Sequence, residues 1–149
     1  MLTAALLAIV VGVSDGDTVT ALTHGKEQMK IRLSGIDAPE SRQPFGQRSK
    51  QHLSDAVYGK AVDLSCEKLD RYKRHVCLIR VDGKDINLEQ IEAGMAWHYK
   101  AYANEQLASE RDNYAIAEVV AKNRRVGLWG DSVQVPPWEW RSHKKNNKP

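Results

Sequence analysis

The spacing of apolar residues changes along the chain, and each change marks an element. From Ala4 to Val13 the chain is apolar throughout. Ile9–Val13 predicts a buried strand, and Met1–Ala8 is expected to be a signal-peptide remnant or a disordered start, although it lacks the Lys or Arg that opens such signals. Thr18–Leu22 predicts a second strand. In the third, Met29, Ile31 and Leu33 alternate with Lys30, Arg32 and Ser34, giving one apolar and one basic face. Pro44 opens a helix with Ser49, Leu53, Ala56 and Val57 on one side, ended by Gly59. Ala61–Cys66 and Val76–Val81 predict two further strands joined by the charged loop Lys68–Arg74. Asp82-Gly83 is a turn signal. Asn87 and Gln90 have the spacing of a capping box for a short helix stopped by Gly94, and a longer helix is expected from about Asn104 to Lys122. Five strands and about three helices predict one α+β domain, mainly β, over 9–141: a small barrel with helices packed around it.

Composition narrows the class. A chain of 149 residues, 42% hydrophobic and 28% charged, suits one compact domain and excludes a disordered polymer. The net charge of +3 is unevenly spread. Residues 1–65 balance at seven basic against seven acidic groups, residues 66–120 carry eight against ten, and residues 121–149 carry seven against two. The basic stretch 142–149, with Lys144, Lys145 and Lys148, reads as a solvated tail that adds salt-sensitive affinity for nucleic acid. No stretch after the start approaches the ~20 apolar residues of a membrane span, so no membrane association is expected of the mature chain. Cys66 and Cys77 flank a hairpin-like segment, which admits either a disulfide or two buried thiols. With the five His they show no zinc-type spacing. The four Trp fall outside the acidic motifs and are expected to pack the C-terminal segment. His75 and His98 receive no role.

Candidate chemistry gathers in two short segments. Asp15-Gly16-Asp17-Thr18 sits at a strand boundary and alone would be read as a turn. Ile36-Asp37-Ala38-Pro39-Glu40 is less easily reduced to a turn, because Pro39 pushes Ala38 extended and leaves two carboxylates little freedom. Carboxylates held together repel by kcal/mol-scale energies unless a cation or proton intervenes, and oxygen-only donors suit a hard ion such as Ca²⁺ or Mg²⁺. Arg32, on the polar face of its strand, and Arg74, ending the charged loop, are permanently charged forks for phosphate oxygens. Combined with a cation and a carboxylate base they would make a phosphodiester-cleaving site.

These motifs carry a family resemblance. D-G-D-T at 15–18, R-L-S-G-I-D-A-P-E at 32–40, Y-K-R at 72–74 and G-M-A-W at 94–97 resemble the thermonuclease, or staphylococcal nuclease, family in order and spacing. R-V-G-L-W at 125–129 and P-P-W-E-W-R at 136–141 resemble the C-terminal end of bacterial members. The resemblance implies a five-stranded OB-fold barrel, Ca²⁺-dependent cleavage of DNA and RNA leaving 3′-phosphate ends, and a monomer. It implies Ca²⁺ ligation by Asp17, Asp37 and the Ala38 carbonyl, with Asp15 behind them. It also implies Glu40 as the group acting on the attacking water, Arg32 and Arg74 as the phosphate-binding pair, Tyr72 beside a nucleotide phosphate, and Tyr99 or Tyr102 as a base-stacking platform.

Three departures stand out: Ala38 where the best-known member has Thr, Lys73 in place of a common Gly, and a shortened segment Ser41–Gly46. None removes a catalytic residue. The apolar start and the Cys pair lead us to expect export to the periplasm or medium. The alternatives are a non-catalytic nucleic-acid-binding module on the same barrel and a structural domain with an ion-stabilised acidic cluster. Intact Asp17, Asp37, Glu40, Arg32 and Arg74 argue against the binding module, whereas metal-dependent melting without turnover would favour the structural domain.

Overall fold

A computed structural model describes residues 6–146. Strands β1 (Leu6–Asp15), β2 (Thr18–Thr23) and β3 (Gln28–Leu33) form an antiparallel meander. After β4 (Ile36–Asp37), β5 (Ala61–Leu69) pairs with β1 and with β6 (His75–Val81). β6 then lies parallel to β3, with Ile31 opposite His75 and Leu33 opposite Cys77, which closes five strands into a barrel. The short β7 (Lys84–Asp85) folds back on β6 through Asp82 and Gly83, both at positive φ, while β8 (Trp97–His98) pairs with β4. The helices are α1 (Gly46–Val57), α2 (Ile86–Glu92), α3 (Ala108–Arg124) and α4 (Pro137–Asn146). This is the expected α+β barrel of OB type, with one α-helix more than expected among the described residues.

The barrel core holds Val10, Val19, Ile31, Leu33, Leu64 and Ile79, with Leu53 and Val57 of α1 and Ile91 of α2 packed into it. The opening strand is buried on one face only: Val10 is fully buried, whereas Ile9 and Val11 are 50% and 42% exposed. An unbroken apolar run hides this alternation. Leu6, Leu7 and Ala8 belong to β1, opposite Leu64, Asp63 and Val62, so the strand begins within the segment expected to lie outside the fold. Residues 1–5 and 147–149, which carry the rest of the expected remnant and tail, lie outside the described residues.

Three helix boundaries differ from the sequence reading. α1 begins at Gly46 rather than Pro44, because Phe45 is left-handed (φ 69°) and a Cβ on Gly46 would sit 1.9 Å from the Glu40 carbonyl oxygen. α2 is capped by Asp85, whose Oδ1 accepts from the Leu88 N–H at 2.8 Å, and not by Asn87. Asn87 and Gln90 are buried braces instead. The Asn87 amide donates to the Ser34 and Cys77 carbonyls (2.9 and 3.1 Å) and accepts from the Ile79 N–H (3.2 Å). Gln90 donates to the Gly16 carbonyl at 2.7 Å. α3 starts at Ala108, after a kinked 3-10 turn over Lys100–Glu105. Gln106 is buried there against His98 Nε2 (2.8 Å), which takes the chain out of helical continuation.

A second small core joins Trp97, Ala121, Leu128 and Trp129, with Phe45 and Trp138 packed against it. The Trp97 and Trp129 rings meet edge-on at 5.0 Å. The segment expected as a free tail from residue 142 continues α4 to Asn146. Cys66 and Cys77 face each other across β5 and β6 and are joined by a disulfide (S–S 2.04 Å). Among the described residues, no helix is long and apolar enough to cross a membrane.

Candidate active site

Two turns at one end of the barrel build the site. In the first, Asp15 closes β1 and Asp17 precedes β2. Gly16 between them packs so closely on α1 that a Cβ would lie 1.8 Å from Ser49 Oγ, and its carbonyl is held by Gln90. In the second, Gly35 (φ 77°) reverses the chain after β3, and pairing of β4 with β8 fixes Asp37 opposite Trp97. The Ala38 N–H donates to Asp17 Oδ2 at 2.8 Å and so ties the two turns together. Thr18 Oγ1 donates to the other Asp17 oxygen at 3.0 Å.

Arg32 lies between the buried carboxylates. Its guanidinium is 3.4 Å from Asp17 Oδ2 and 3.3 Å from Asp37 Oδ1, with a further bond to the Leu33 carbonyl (2.9 Å). Their electrostatics diverge. Burial, then the neighbouring Asp17 charge, pushes Asp15 up to about 8. Burial pushes Asp17 the same way, but Arg32 and the hydrogen bonds it receives outweigh this and hold it below the usual carboxylate range. At neutral pH the Asp15–Asp17 pair therefore carries one proton between its two carboxylates. Burial raises Asp37 despite its two arginine partners.

One of those partners was absent from the sequence expectations. Arg141 reaches in from α4, with Nη2 2.8 Å from Asp37 Oδ2 and Nη1 2.6 Å from Glu40 Oε1. Its signal was partly legible: Pro137 at a first helical position, followed by Glu139 in the first turn, is a helix start. Nothing in the spacing said which side chain would face the acids.

The remaining expected residues line the same cavity, of about 720 Å³, without joining the acidic cluster. Arg74 is bound through Nε to Asp70 Oδ2 (2.8 Å) and lies over the Tyr72 ring at 5.3 Å. Asp70 also caps this loop by accepting from the Tyr72 and Arg74 N–H groups (2.9 and 3.0 Å). Lys73 adopts φ 62°, a left-handed conformation that glycine takes without steric cost. Tyr99 and Tyr102 meet edge-on at 5.0 Å, and both line the cavity. Tyr99 also stacks parallel on Trp138, at 5.9 Å and 2°.

Seven carboxylates and five cationic side chains line this cavity. With one proton on the Asp15–Asp17 pair, a polyanionic substrate meets a deficit of one positive charge, which a divalent ion would reverse. The donors at Asp17, Asp37 and Glu40 are all oxygen, which fits a hard cation. Among the described residues no three His, Cys, Asp or Glu side chains form a ready cage. An ion here would rest on the Asp17–Asp37 pair, backbone oxygen, and water or substrate.

A closed barrel carries a buried Asp pair, an interposed arginine and a flanking Glu at one end of an OB scaffold. Residues 30–131 match the family described as staphylococcal nuclease homologue, and the chain belongs to that family, a class of phosphodiester-hydrolysing enzymes. It is 44% identical over 138 residues to an uncharacterized endonuclease of Haemophilus influenzae, covering 93% of this chain and 74% of that one. It is 34% identical over 146 residues to a micrococcal nuclease of Shigella flexneri, covering 92% and 81%. A staphylococcal-like nuclease of Arabidopsis thaliana is 40% identical over 119 residues, and there the match spans 35% of the plant protein.

Proposed function

We propose that this protein is a Ca²⁺-dependent endonuclease that hydrolyses DNA and RNA and leaves 3′-phosphate ends. The observation that carries the reading is the Asp17–Arg32–Asp37 bridge with Glu40 beside it, facing one cavity with Arg74 and the tyrosines. Asp17 and Asp37, with the Ala38 carbonyl, would hold the ion, and Asp15 supports Asp17 from behind. When bound, Ca²⁺ would neutralise charge on a phosphoryl oxygen.

Arg32 and Arg74 bind the remaining phosphoryl oxygens and stabilise the charge that develops there. Glu40 accepts a proton from the attacking water, the new P–O bond forms in line, and the bond to the 5′ oxygen breaks, its electron pair leaving with that oxygen, which takes a proton from solvent. Tyr72 lies beside a nucleotide phosphate, and Tyr99 or Tyr102 offers a ring face to a base. Arg74 must turn from Asp70 toward the substrate, a small rearrangement for a side chain 28% exposed. The Cys66–Cys77 disulfide supports an oxidising compartment, and hence an exported protein.

The reading is tested by incubating denatured DNA and RNA with the protein in millimolar Ca²⁺ or in EGTA and analysing the product ends. Cleavage that needs Ca²⁺ and yields 3′-phosphate, 5′-hydroxyl ends is expected. Binding without cleavage across several divalent ions would instead favour the non-catalytic module.

A further inference from the structure

The C-terminal segment holds Glu40 by two separate grips. Among the described residues, the Glu40 carboxylate has one side-chain partner, Arg141 Nη1 at 2.6 Å, and the same guanidinium fork lies on Asp37 at 2.8 and 3.2 Å. The Glu40 backbone is tied to that segment as well. Its N–H donates to Gln43 Oε1 (3.0 Å), its carbonyl accepts from the Gln43 N–H (2.9 Å), and the buried Gln43 amide donates to the Val135 carbonyl. α4 is itself fixed: Trp138 stacks on Tyr99 and meets Trp97 edge-on at 6.4 Å. A planar fork holding two carboxylates at a set separation is a geometry that arginine supplies and lysine does not.

We propose that Arg141 is a positioning residue of the reaction: it fixes the Glu40 carboxylate beside Asp37, with Gln43 fixing the turn beneath. Val135–Arg141 is then part of the active site rather than a packed end of the chain. The inference rests on the nuclease reading, because Arg141 acts through Glu40. Without the fork, Glu40 sits on a half-exposed turn with its rotamers free, and a misplacement of about 1 Å costs up to roughly 100-fold in rate.

The test is steady-state cleavage of a single-stranded DNA oligonucleotide in Ca²⁺ by wild type, Arg141→Ala, Arg141→Lys, Glu40→Gln and the Glu40→Gln/Arg141→Ala double variant. Arg141→Ala is expected to lower kcat by roughly 10- to 100-fold with little change in KM. Arg141→Lys should recover part of the rate, and millimolar guanidinium chloride should partly rescue Arg141→Ala. In the Glu40→Gln background, removing Arg141 should cost nothing further, an outcome that a merely structural role does not produce. Thermal unfolding and calorimetric Ca²⁺ titration of each variant report the fold and the Asp17–Asp37 pair independently of turnover. Wild-type kcat in Arg141→Ala, an effect on KM alone, or equal losses in both backgrounds would overturn the proposal while leaving the nuclease reading intact. A wild type that cleaves nothing overturns both.

Discussion

Replacing Arg32 by Ala removes the cation that two buried carboxylates share. The Arg32 side chain is 12% exposed, and those of Asp17 and Asp37 are 9% and 1% exposed, so water cannot take its place. Taking one partner from a buried ion pair costs about 3–5 kcal/mol, because a charge is left uncompensated. Asp37 keeps Arg141 and Asp17 keeps only neutral donors, which puts the expected loss at the low end, about 3 kcal/mol, in ion-free protein near pH 8.

The loss must depend on pH. In the wild type, Asp17 is held below its unfolded value, so its contribution is present above that value. In the variant its folded value rises above the unfolded one. The folded variant then binds a proton that the unfolded chain does not, and stability falls as pH climbs from about 4 through the raised value. Urea unfolding of both proteins in EDTA at pH 5, 6, 7 and 8 measures this directly. The difference should shrink as pH falls toward 5, where protonation relieves the pair. Arg32→Met, which keeps the packing of the stem, should behave alike. A loss independent of pH, or one below about 1 kcal/mol at pH 8, would refute the charge argument.

Two further outcomes follow from the same geometry. Asp15 sits at about 8 in the folded protein, so its contribution to ion-free stability is complete below the unfolded value near 4 and is lost as pH rises through 8. Asp15→Asn should match wild type at acid pH and gain on it with a slope of up to about 1.4 kcal/mol per pH unit toward pH 8; a pH-independent offset in denaturant melts would contradict the assignment. Gly94 has φ 68°, and a Cβ there would stand 2.1 Å from the Val126 carbonyl oxygen. Gly94→Ala should therefore cost more than about 3 kcal/mol, lowering the thermal midpoint sharply, and a near-wild-type melt would mean that the Gly94–Gly127 contact yields easily.

The barrel was legible because its strands announce themselves by apolar runs or alternation and by turn residues. The acidic site was legible because Asp15, Asp17, Arg32, Asp37 and Glu40 fall in two short motifs at strand ends, where position along the chain fixes position in space. The misreadings at Asn87, Gln90 and Arg141 share one cause. The spacing of Asn87 and Gln90 suggests local helix chemistry, yet their amides bond to Ser34, Cys77, Ile79 and Gly16, partners that no local spacing reveals. Arg141 lies 104 residues from Asp37, and its role depends on how Trp138 docks against Tyr99. A tertiary contact of this span leaves no periodic trace, and a basic C-terminal stretch reads by default as a solvated tail.

The central claim is that this site hydrolyses phosphodiesters with Glu40 acting on the attacking water. Comparing wild type with Glu40→Gln on denatured DNA in millimolar Ca²⁺ tests it most directly, since Glu40 is 36% exposed and its removal leaves the Asp17–Arg32–Asp37 bridge in place. We expect wild-type cleavage abolished by EGTA and a rate lower by at least about 10²-fold in Glu40→Gln, with unfolding and Ca²⁺ binding close to wild type. Equal rates in the two proteins would contradict the account.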